Sequence, residues 1–401
     1  MTLNISNFAP ALKQYYSNMR VENMVYKDHP FLAMLTKEEK FFGKNQPLPI
    51  VHGNPQGRSA TFSTAKKNKT SSQLKDFLLT RDKDYSLASI DNETAEASEN
   101  DAGAFMKALT LEIDGAMQSA TNSLASSLFL DGSGAIAKVA SLPTANSIQL
   151  DDAESVVFFE IDMQMEFGTT KTGALRAGIA QVSKVDRDTG VVTFVTGELA
   201  TVGVLAADFI FVEGDQNKKL KGLEAWLPLT APTGGDNFFG VDRSVDPTRL
   251  AGIRVDGSAL PIEEALIKGA SRLNREGGRA DCCFVSYSVF EDLEKALGSK
   301  VQYMVSQAFG RADIGFEGIQ IKSNKGTINV IADPFCPSDR AYMLTMKSWK
   351  LTSLKKIIRI LDLDGNRMLR ESDADAVELR IGGYGQLGCN APGHNAVIKL
   401  A

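Results

Sequence analysis

Histidine, cysteine and tryptophan are scarce in this chain of 401 residues, which contains three, four and two of them. The histidines His29, His52 and His394 show neither HxxxH nor HExxH spacing, so the sequence gives no support for a zinc hydrolase. No CxxC pair occurs, and the adjacent Cys282 and Cys283 are poorly spaced for zinc or redox chemistry. We therefore expect the cysteines to be small buried side chains in a protein made in a reducing compartment.

Long apolar runs and nucleotide-binding motifs are also missing. No run approaches the ~20 apolar residues of a membrane helix, and the polar residues 1–11 do not form a signal peptide. No GxSxG or GxxxxGK[ST] motif occurs, and the Gly-Ser-Gly of residues 132–134 follows a predicted helix, where it indicates a helix end. Residues 362–366 begin like a calcium loop, but the glycine comes at position four instead of six, which favours a hairpin turn. The sequence therefore predicts a soluble protein made in a cytoplasm, with no membrane partner, cofactor, metal or catalytic site.

The charge of the chain is unevenly distributed. Its net charge is −5, which gives no overall signal for nucleic-acid binding. Residues 1–90 contain 13 Lys and Arg against 7 Asp and Glu, whereas residues 91–166 contain 2 against 14. Two such segments are expected to attract each other within a subunit or between subunits, and the alternative is two solvated faces of opposite sign. An enzyme with a glycosidase-like carboxylate pair in the acidic segment is a weaker hypothesis, because these acids are spread along one helix and a loop.

Residues 54–91 have the pattern of a long hairpin. A turn signal at 54–57 precedes the β-prone residues 58–64, and the basic residues 66–69 form a polar tip before a second strand. Four apolar side chains of this hairpin have little local core to enter: Phe62, Phe77, Leu78 and Leu79. A second subunit that covers the hairpin would explain them, and the alternative is a hairpin folded back on its own domain.

Residues 93–130 are predicted to form one long helix. Helix formers dominate, and the apolar residues follow one helical face without a proline. At 1.5 Å per residue this helix would be roughly 50 Å long, which is typical of a spine and unlike an ordinary globular helix. Asp131-Gly132 is expected to end it.

A β-rich segment over residues 135–228 follows the helix. Strands are predicted at 148–150, 156–161, 180–185, 191–195 and 209–212, with a hairpin turn at 186–190. This pattern indicates a small β domain inserted into a larger one.

The remaining chain alternates helices and strands, which is typical of an α+β or α/β domain. Helices are predicted at 262–273 and 289–297. Strands are predicted at 283–287, 319–322, 327–331 and 377–381, with a turn at 364–365.

Four stretches together resemble a known family. They are NPQGRSATF at 54–62, KDYSLASID at 83–91, DPFCP at 333–337 and LGCNAPG at 387–393. In this combination and order the sequence resembles the major capsid proteins of tailed bacteriophages, which have the Hong Kong 97-like fold. The resemblance covers nearly the whole chain. It implies a shell protein that self-assembles into hexamers and pentamers and encloses double-stranded DNA in the phage head.

The resemblance also implies a division of this α+β chain into six parts. They are an N-terminal arm (1–53), an extended β-hairpin loop (54–91), a peripheral domain with a spine helix (92–134), a β-rich insertion (135–228), an axial domain (229–345) and C-terminal peripheral-domain strands (346–401). The insertion is not part of the minimal fold, and a sugar-binding role on the shell surface is one hypothesis for it. A rival to the phage head is an encapsulin-like cellular nanocompartment, which has the same fold.

The opposite charges of the hairpin and the following segment predict contacts between subunits. The candidate residues are Arg58, Lys66, Lys67, Lys69, Lys75, Glu93, Glu96, Glu99 and Asp101. The implied partners are further copies of the chain, packaged DNA bound without sequence preference, and portal, scaffold and decoration proteins. Part of the family joins its subunits by a Lys–Asn crosslink, for which this sequence assigns no partners.

Overall fold

The protein is described by a computed structural model that covers residues 29–97, 108–298, 319–362, 368–371 and 374–401. Within these residues the α-helices are α1 (Pro30–Met34), α2 (Phe62–Lys67), α3 (Asn92–Ala97), α4 (Ala108–Ser127), α5 (Glu198–Val202), α6 (Leu223–Trp226), α7 (Pro247–Ala251), α8 (Ile262–Arg275) and α9 (Tyr287–Gly298).

The strands of the first half of the chain are β1 (Thr36–Glu38), β2 (Gln46–Gly53), β3 (Gln73–Leu79), β4 (Asp82–Asp91), β5 (Ala135–Thr144), β6 (Ser147–Leu150), β7 (Gln164–Gly168), β8 (Ala180–Asp186), β9 (Val191–Phe194) and β10 (Phe209–Val212). Those of the second half are β11 (Asn237–Phe238), β12 (Val241–Asp242), β13 (Ile253–Asp256), β14 (Cys282–Val285), β15 (Ile319–Ser323), β16 (Gly326–Ala332), β17 (Arg340–Leu344), β18 (Trp349–Ser353), β19 (Arg359–Ile360), β20 (Met368–Arg370), β21 (Ala376–Cys389) and β22 (Ala396–Lys399).

The first sheet is built around the long strand β21. Its order is β1-β18-β21-β19, and β4 and β20 also pair with β21. Helix α4 packs on one face of this sheet, where Ala116 and Ala120 meet Ala88, Leu379 and Ile381. The small alanine side chains allow the helix to approach the sheet closely, so helix and sheet form two packed layers.

The predicted long helix is described in two pieces, α3 and α4. Residues 98–107 lie outside the described residues, so the prediction of one continuous helix is not tested there. Helix α4 has 20 residues, which corresponds to about 30 Å. It ends at Ser127, before the predicted stop at Asp131-Gly132. The Ser127 hydroxyl donates to the Ser123 carbonyl oxygen at 2.7 Å, and such side-chain bonds compete with the helical hydrogen bonds.

The predicted hairpin is present, and its second strand contains Phe77, Leu78 and Leu79 as predicted, but its first strand lies earlier in the sequence. Strands β2 and β3 pair antiparallel from Gln46 opposite Leu79 to Gly53 opposite Gln73. The prediction of a strand over 58–64 is wrong, because these residues belong to the connection and α2 begins at Phe62. Short hydroxyl side chains fold this connection locally, since the amide of Thr61 donates to the Ser59 hydroxyl at 3.2 Å.

The β-rich segment forms a closed six-stranded barrel in the order β10-β5-β6-β9-β8-β7. The strands predicted at 148–150, 180–185, 191–195 and 209–212 are confirmed, as is the turn at 186–190. The strand predicted over 156–161 is wrong: residues Ala153–Phe158 form a 3₁₀ helix. The Asp152 side chain caps this helix by accepting from the amide of Glu154 at 3.0 Å.

The segment after the barrel returns to the main core of the subunit, which contains Phe31, Phe77, Phe129, Trp226 and Trp349. Leu223 and Trp226 of α6 lie within the predicted insertion 135–228, but both are fully buried in this main core. The barrel strands themselves end with β10. The large indole ring explains the difference, because Trp226 packs edge-on against Trp349 of the first sheet at 6.3 Å.

The second sheet has the order β13-β22-β17-β14-β16-β15. Helices α8 and α9 cover one of its faces, and the main core covers the other. The predicted helices at 262–273 and 289–297 and the predicted strands at 319–322 and 327–331 are confirmed, and the strand predicted at 283–287 is present as β14. Where both faces are covered, a strand is apolar without alternation, as in Cys282–Val285, whereas exposed and buried residues alternate along the edge strand β15.

Residues 346–401, which are predicted to return to the peripheral domain, contribute strands to both sheets. Strands β18 and β21 lie in the first sheet, and the strand predicted at 377–381 is part of β21. Strand β22, however, pairs with β13 and β17 in the second sheet. Its three apolar residues are buried on both faces, since Val397 lies in the main core and Ile398 under α8. The turn predicted at 364–365 lies outside the described residues.

Candidate functional site

The root of the hairpin is fixed in the main core. Phe77 and Leu79 are 0% and 1% exposed, so the prediction that they lack a local core is wrong. The ring of Phe77 lies 5.2 Å from that of Trp226. On the other strand, Ile50 is buried, and the carbonyl oxygen of His52 accepts a hydrogen bond from Arg249 at 2.6 Å. The hairpin therefore leaves the subunit from a rigid base.

The tip of the hairpin, residues 54–72, extends away from this core. Phe62 is 84% exposed at the start of α2, as the sequence predicted for a side chain without a local core. The tip is closed by two hydrogen bonds of 2.7 Å between Gln56 and Thr70, one from each amide. Gly57 packs directly on the backbone of Lys69, where an added Cβ would come within 3.2 Å of the Lys69 Cα. The tip is thus folded on itself and still presents a large apolar ring to solvent.

The candidate cations lie on this tip. Arg58, Lys66, Lys67 and Lys69 are all exposed, and among the described residues none of the four forms an ion pair within the subunit. Lys75 differs from them. It is half-buried on β3, and its charge contributes to lowering the pKa of Asp242, for which hydrogen bonds from Ser244 are the main cause.

The candidate acids are only partly described. Glu93 and Glu96 are exposed on α3. Glu99 and Asp101 lie outside the described residues. No ion pair between these two glutamates and the tip lysines joins the described parts of one subunit. Among the described residues, Glu93 and Glu96 are therefore not brought together with the tip lysines within one copy of the chain.

An apolar surface continues from the tip along the hairpin. Val51 and Leu74 are opposite each other across β2 and β3, and each is 58% exposed. Cross-strand partners of this kind form one continuous patch, because their side chains point to the same face. Exposed apolar patches on an extended element are typical of surfaces that another protein covers.

The described residues contain no group of three or more His, Cys, Asp or Glu that could hold a metal ion. Within the same described residues, no helix is long and apolar enough to cross a membrane. All four cysteines are free and buried, as predicted, and burial raises the pKa of the Cys283 thiol to about 12.

The sequence and the structure were compared with those of known proteins. The family model of the SU10 major capsid protein matches residues 205–365, which include the last barrel strand and most of the second sheet. The capsid asymmetric unit of cyanophage A-1(L) has a similar structure over 94% of both chains, with 13% identity and a TM-score of 0.60. The capsid of a native GTA particle covers 97% of this chain and 95% of that chain, with 7% identity and a TM-score of 0.51. A search of the curated proteins found no match.

The match to the SU10 major capsid protein family covers residues 205–365, and nearly the whole chain has the Hong Kong 97-like fold of mixed helices and sheets that the resemblance implied. The two structural likenesses extend over nearly the whole chain, beyond the residues that the family model matches.

The sequence analysis did not predict one exposed apolar surface of the protein, which lies on strand β4. On β4, Tyr85 and Leu87 are 50% and 60% exposed, whereas Ala88 and Ile90 are buried, and Ala88 lies under α4. Strand β4 lies at the edge of the first sheet and pairs only with β21 among the described strands. The alternation of exposed and buried residues was the available signal, but apolar residues on both faces concealed it.

A partly buried charge network joins strand β4 of the first sheet to residues 215–219, which follow the last barrel strand. Lys219 binds Asp84 at 2.9 Å and Asp215 at 3.1 Å. The adjacent Asp82 is bonded by Gln386, and burial is the main cause that raises the pKa of Asp82 to about 6. Sequence reasoning did not find this network, because its members are far apart in the chain.

Proposed function

We propose that this capsid protein assembles into hexamers and pentamers that form the icosahedral head of a phage around double-stranded DNA. The observation that carries the proposal is the hairpin, whose root is buried and whose tip exposes Phe62. A long projecting hairpin with uncovered apolar residues is unfavourable in a monomer and becomes favourable when another copy covers it. A structural role without enzymatic activity is part of the proposal.

The tip lysines are proposed to contact acidic residues of a neighbouring subunit. Arg58, Lys66, Lys67, Lys69 and Lys75 form the basic side of this contact, and Glu93, Glu96, Glu99 and Asp101 form the acidic side. Each exposed ion pair is worth only ~0–1 kcal/mol. The same small contribution is repeated at every subunit of a shell, so it affects assembly, and it weakens with salt because the Debye length is ~8 Å at physiological ionic strength.

The parts of the chain are proposed to have separate roles in the shell. Residues 1–53 serve as the arm and 54–91 as the extended loop. Residues 92–134 form the peripheral domain and 229–345 most of the axial domain. The barrel is an inserted domain at the shell surface. Portal, scaffold and decoration proteins are the proposed further partners.

Electron microscopy and sedimentation of the purified full-length protein test the assembly. We expect large closed shells, and a compact monomer at every salt and protein concentration would refute the proposal. The tip contact is tested by changing Lys66, Lys67 and Lys69 together to Glu, which should lower the yield of shells and change their salt dependence. An unchanged yield with unchanged salt dependence would show that the contact is absent.

A matched control variant makes the same change of charge at positions outside the hairpin tip. It replaces three exposed lysines by Glu: Lys184, Lys218 and Lys347. If this control lowers the yield as much as the tip variant, general repulsion between subunits is the cause and the tip contact is refuted.

The content of the shells separates the phage head from a cellular nanocompartment. The family model of a phage capsid protein favours the head. Particles purified from infected or expressing cells should contain DNA, and an enzyme cargo in place of DNA would support the nanocompartment.

A further inference from the structure

A basic groove lies on the outer face of α8. Lys268, Arg272 and Arg275 point from the exposed face of this helix, and Lys325 faces them from the turn between β15 and β16. The space between them has a volume of about 580 Å³. The two walls come from different elements, so the groove is a feature of the fold and not of one helix.

The opposite face of α8 explains why these cations are outermost. Ala265, Leu266 and Ala270 are buried against the second sheet. Gly269 meets β22 so closely that an added Cβ would come within 2.3 Å of the Ile398 Cδ1 atom. The helix therefore lies flat on the sheet, and its other face points away from the subunit.

The groove has an excess of positive charge. Glu276 is shared by two of the cations, since it lies 3.8 Å from Arg272 and 2.9 Å from Arg275. Lys268 also helps to lower the pKa of Asp256, for which hydrogen bonds from Ser258 are the main cause. Arg279 lies against Gly326 in the facing turn and adds a further exposed cation. Around the groove there are therefore five positively charged side chains and two carboxylates. This local excess of positive charge contrasts with the net charge of −5 of the whole chain.

We propose that this groove binds the phosphate backbone of the duplex DNA inside the head, with the α8 face on the inner surface of the shell. This inference rests on the proposed function. From residue 268 to residue 275 the helix rises about 10 Å, and one DNA strand presents about three phosphates over that length. The remaining lining residues are Ser271, Asn274 and Asn324, whose hydroxyl and amide groups are usual phosphate donors.

The position of the groove in the subunit supports an inner location. The arm residue Phe31 and the barrel residue Phe158 pack on the main-core side of the second sheet, opposite α8 and α9. The groove therefore lies on the side of the second sheet that faces away from Phe31 of the arm and from the barrel residue Phe158. An acidic face of a neighbouring copy fits less well, because Glu291 and Asp292 on α9 already bind Lys295 at 2.8 and 3.5 Å.

The test measures binding of a 30-base-pair DNA duplex to the full-length unassembled protein by fluorescence anisotropy. Four phosphate contacts predict that affinity falls roughly 150-fold between 50 and 200 mM salt. The groove variant changes Lys268, Arg275 and Lys325 to Gln and leaves Arg272 to pair with Glu276. Its affinity should fall only about three- to four-fold over the same range, because three counterion-releasing contacts are lost.

The control variant changes Lys66, Lys67 and Lys69 of the hairpin tip to Gln, and it should keep the wild-type salt dependence. Unfolding curves that match wild type exclude a folding defect in either variant. The inference is overturned if the groove variant keeps the wild-type slope, if the tip variant loses the slope equally, or if the wild type binds no duplex at 50 mM salt. Electron microscopy of the same wild-type protein reports assembly independently, so failure of the proposed function is seen as missing shells and not as a changed slope.

Discussion

Truncation of Phe31 should detach the arm from the subunit at a large cost in stability. Its side chain is 0% exposed, and its ring lies 5.1 Å from Phe284 and 5.3 Å from Phe129. Its amide donates to the Asp333 carboxylate at 3.2 Å. Replacing a fully buried Phe by Ala costs about 3–5 kcal/mol, because apolar burial is lost and a cavity remains. We therefore predict that Phe31→Ala lowers the free energy of unfolding by about that amount.

Urea unfolding of subunits kept dilute enough to remain monomeric measures this change. Phe42→Ala is the matched control, since Phe42 is the same residue type on the same segment but is 71% exposed. A surface change of this kind should alter the free energy of unfolding by no more than about 0.5 kcal/mol. The reasoning is refuted if the two variants lose equal stability, or if Phe31→Ala costs less than about 1 kcal/mol.

Three further predictions concern the acid, the hairpin and the barrel. Burial raises the pKa of Asp333 from 3.8 to about 6, so its stabilising contribution is full below pH 3.8 and is lost as the pH rises through about 6. The unfolding free energy of wild type relative to Asp333→Asn should therefore fall by up to about 3 kcal/mol between roughly pH 4 and pH 7, and parallel urea-unfolding profiles would contradict this. Phe62→Ser should leave the unfolding curve of the monomer unchanged and reduce shell yield in sedimentation, whereas an unchanged yield would show that Phe62 is not covered in the shell. Replacing residues 136–211 by a Gly/Ser linker should leave a soluble subunit in gel filtration. Replacing 135–228 also removes Trp226 and should abolish solubility. Equal solubility of the two deletion variants would contradict the place of Trp226 in the core.

Elements with a strong local pattern could be predicted from the sequence. The amphipathic spacing of residues 262–273 predicted α8, and its apolar face agrees with the structure. The run Phe209–Val212 predicted β10 with its observed bounds. Both elements are encoded within a few neighbouring residues, so no distant contact was needed to predict them.

Elements that depend on distant partners could not be predicted. Residues 156–158 are as β-prone as a strand, but Phe158 stacks on Phe335 at 5.6 Å, and the Asp152 cap favours a 3₁₀ turn. Nothing local indicated that residues 46–53 pair with residues 73–79. Four of the five candidate cations are exposed, and their partners remain a proposal because those contacts depend on a second subunit.

The main core of the subunit also acts as the common anchor of the parts that extend from it. Three parts of the chain pack into this one core: the arm with Phe31, the hairpin with Phe77, and the segment that follows the barrel with Trp226. An element that is ordered at its root loses less conformational entropy when its tip binds a neighbour, because only the tip must be immobilised. The same core therefore contributes to assembly without touching another subunit. It follows that changes in this core should weaken shells as well as subunits, whereas changes at the hairpin tip should weaken shells alone.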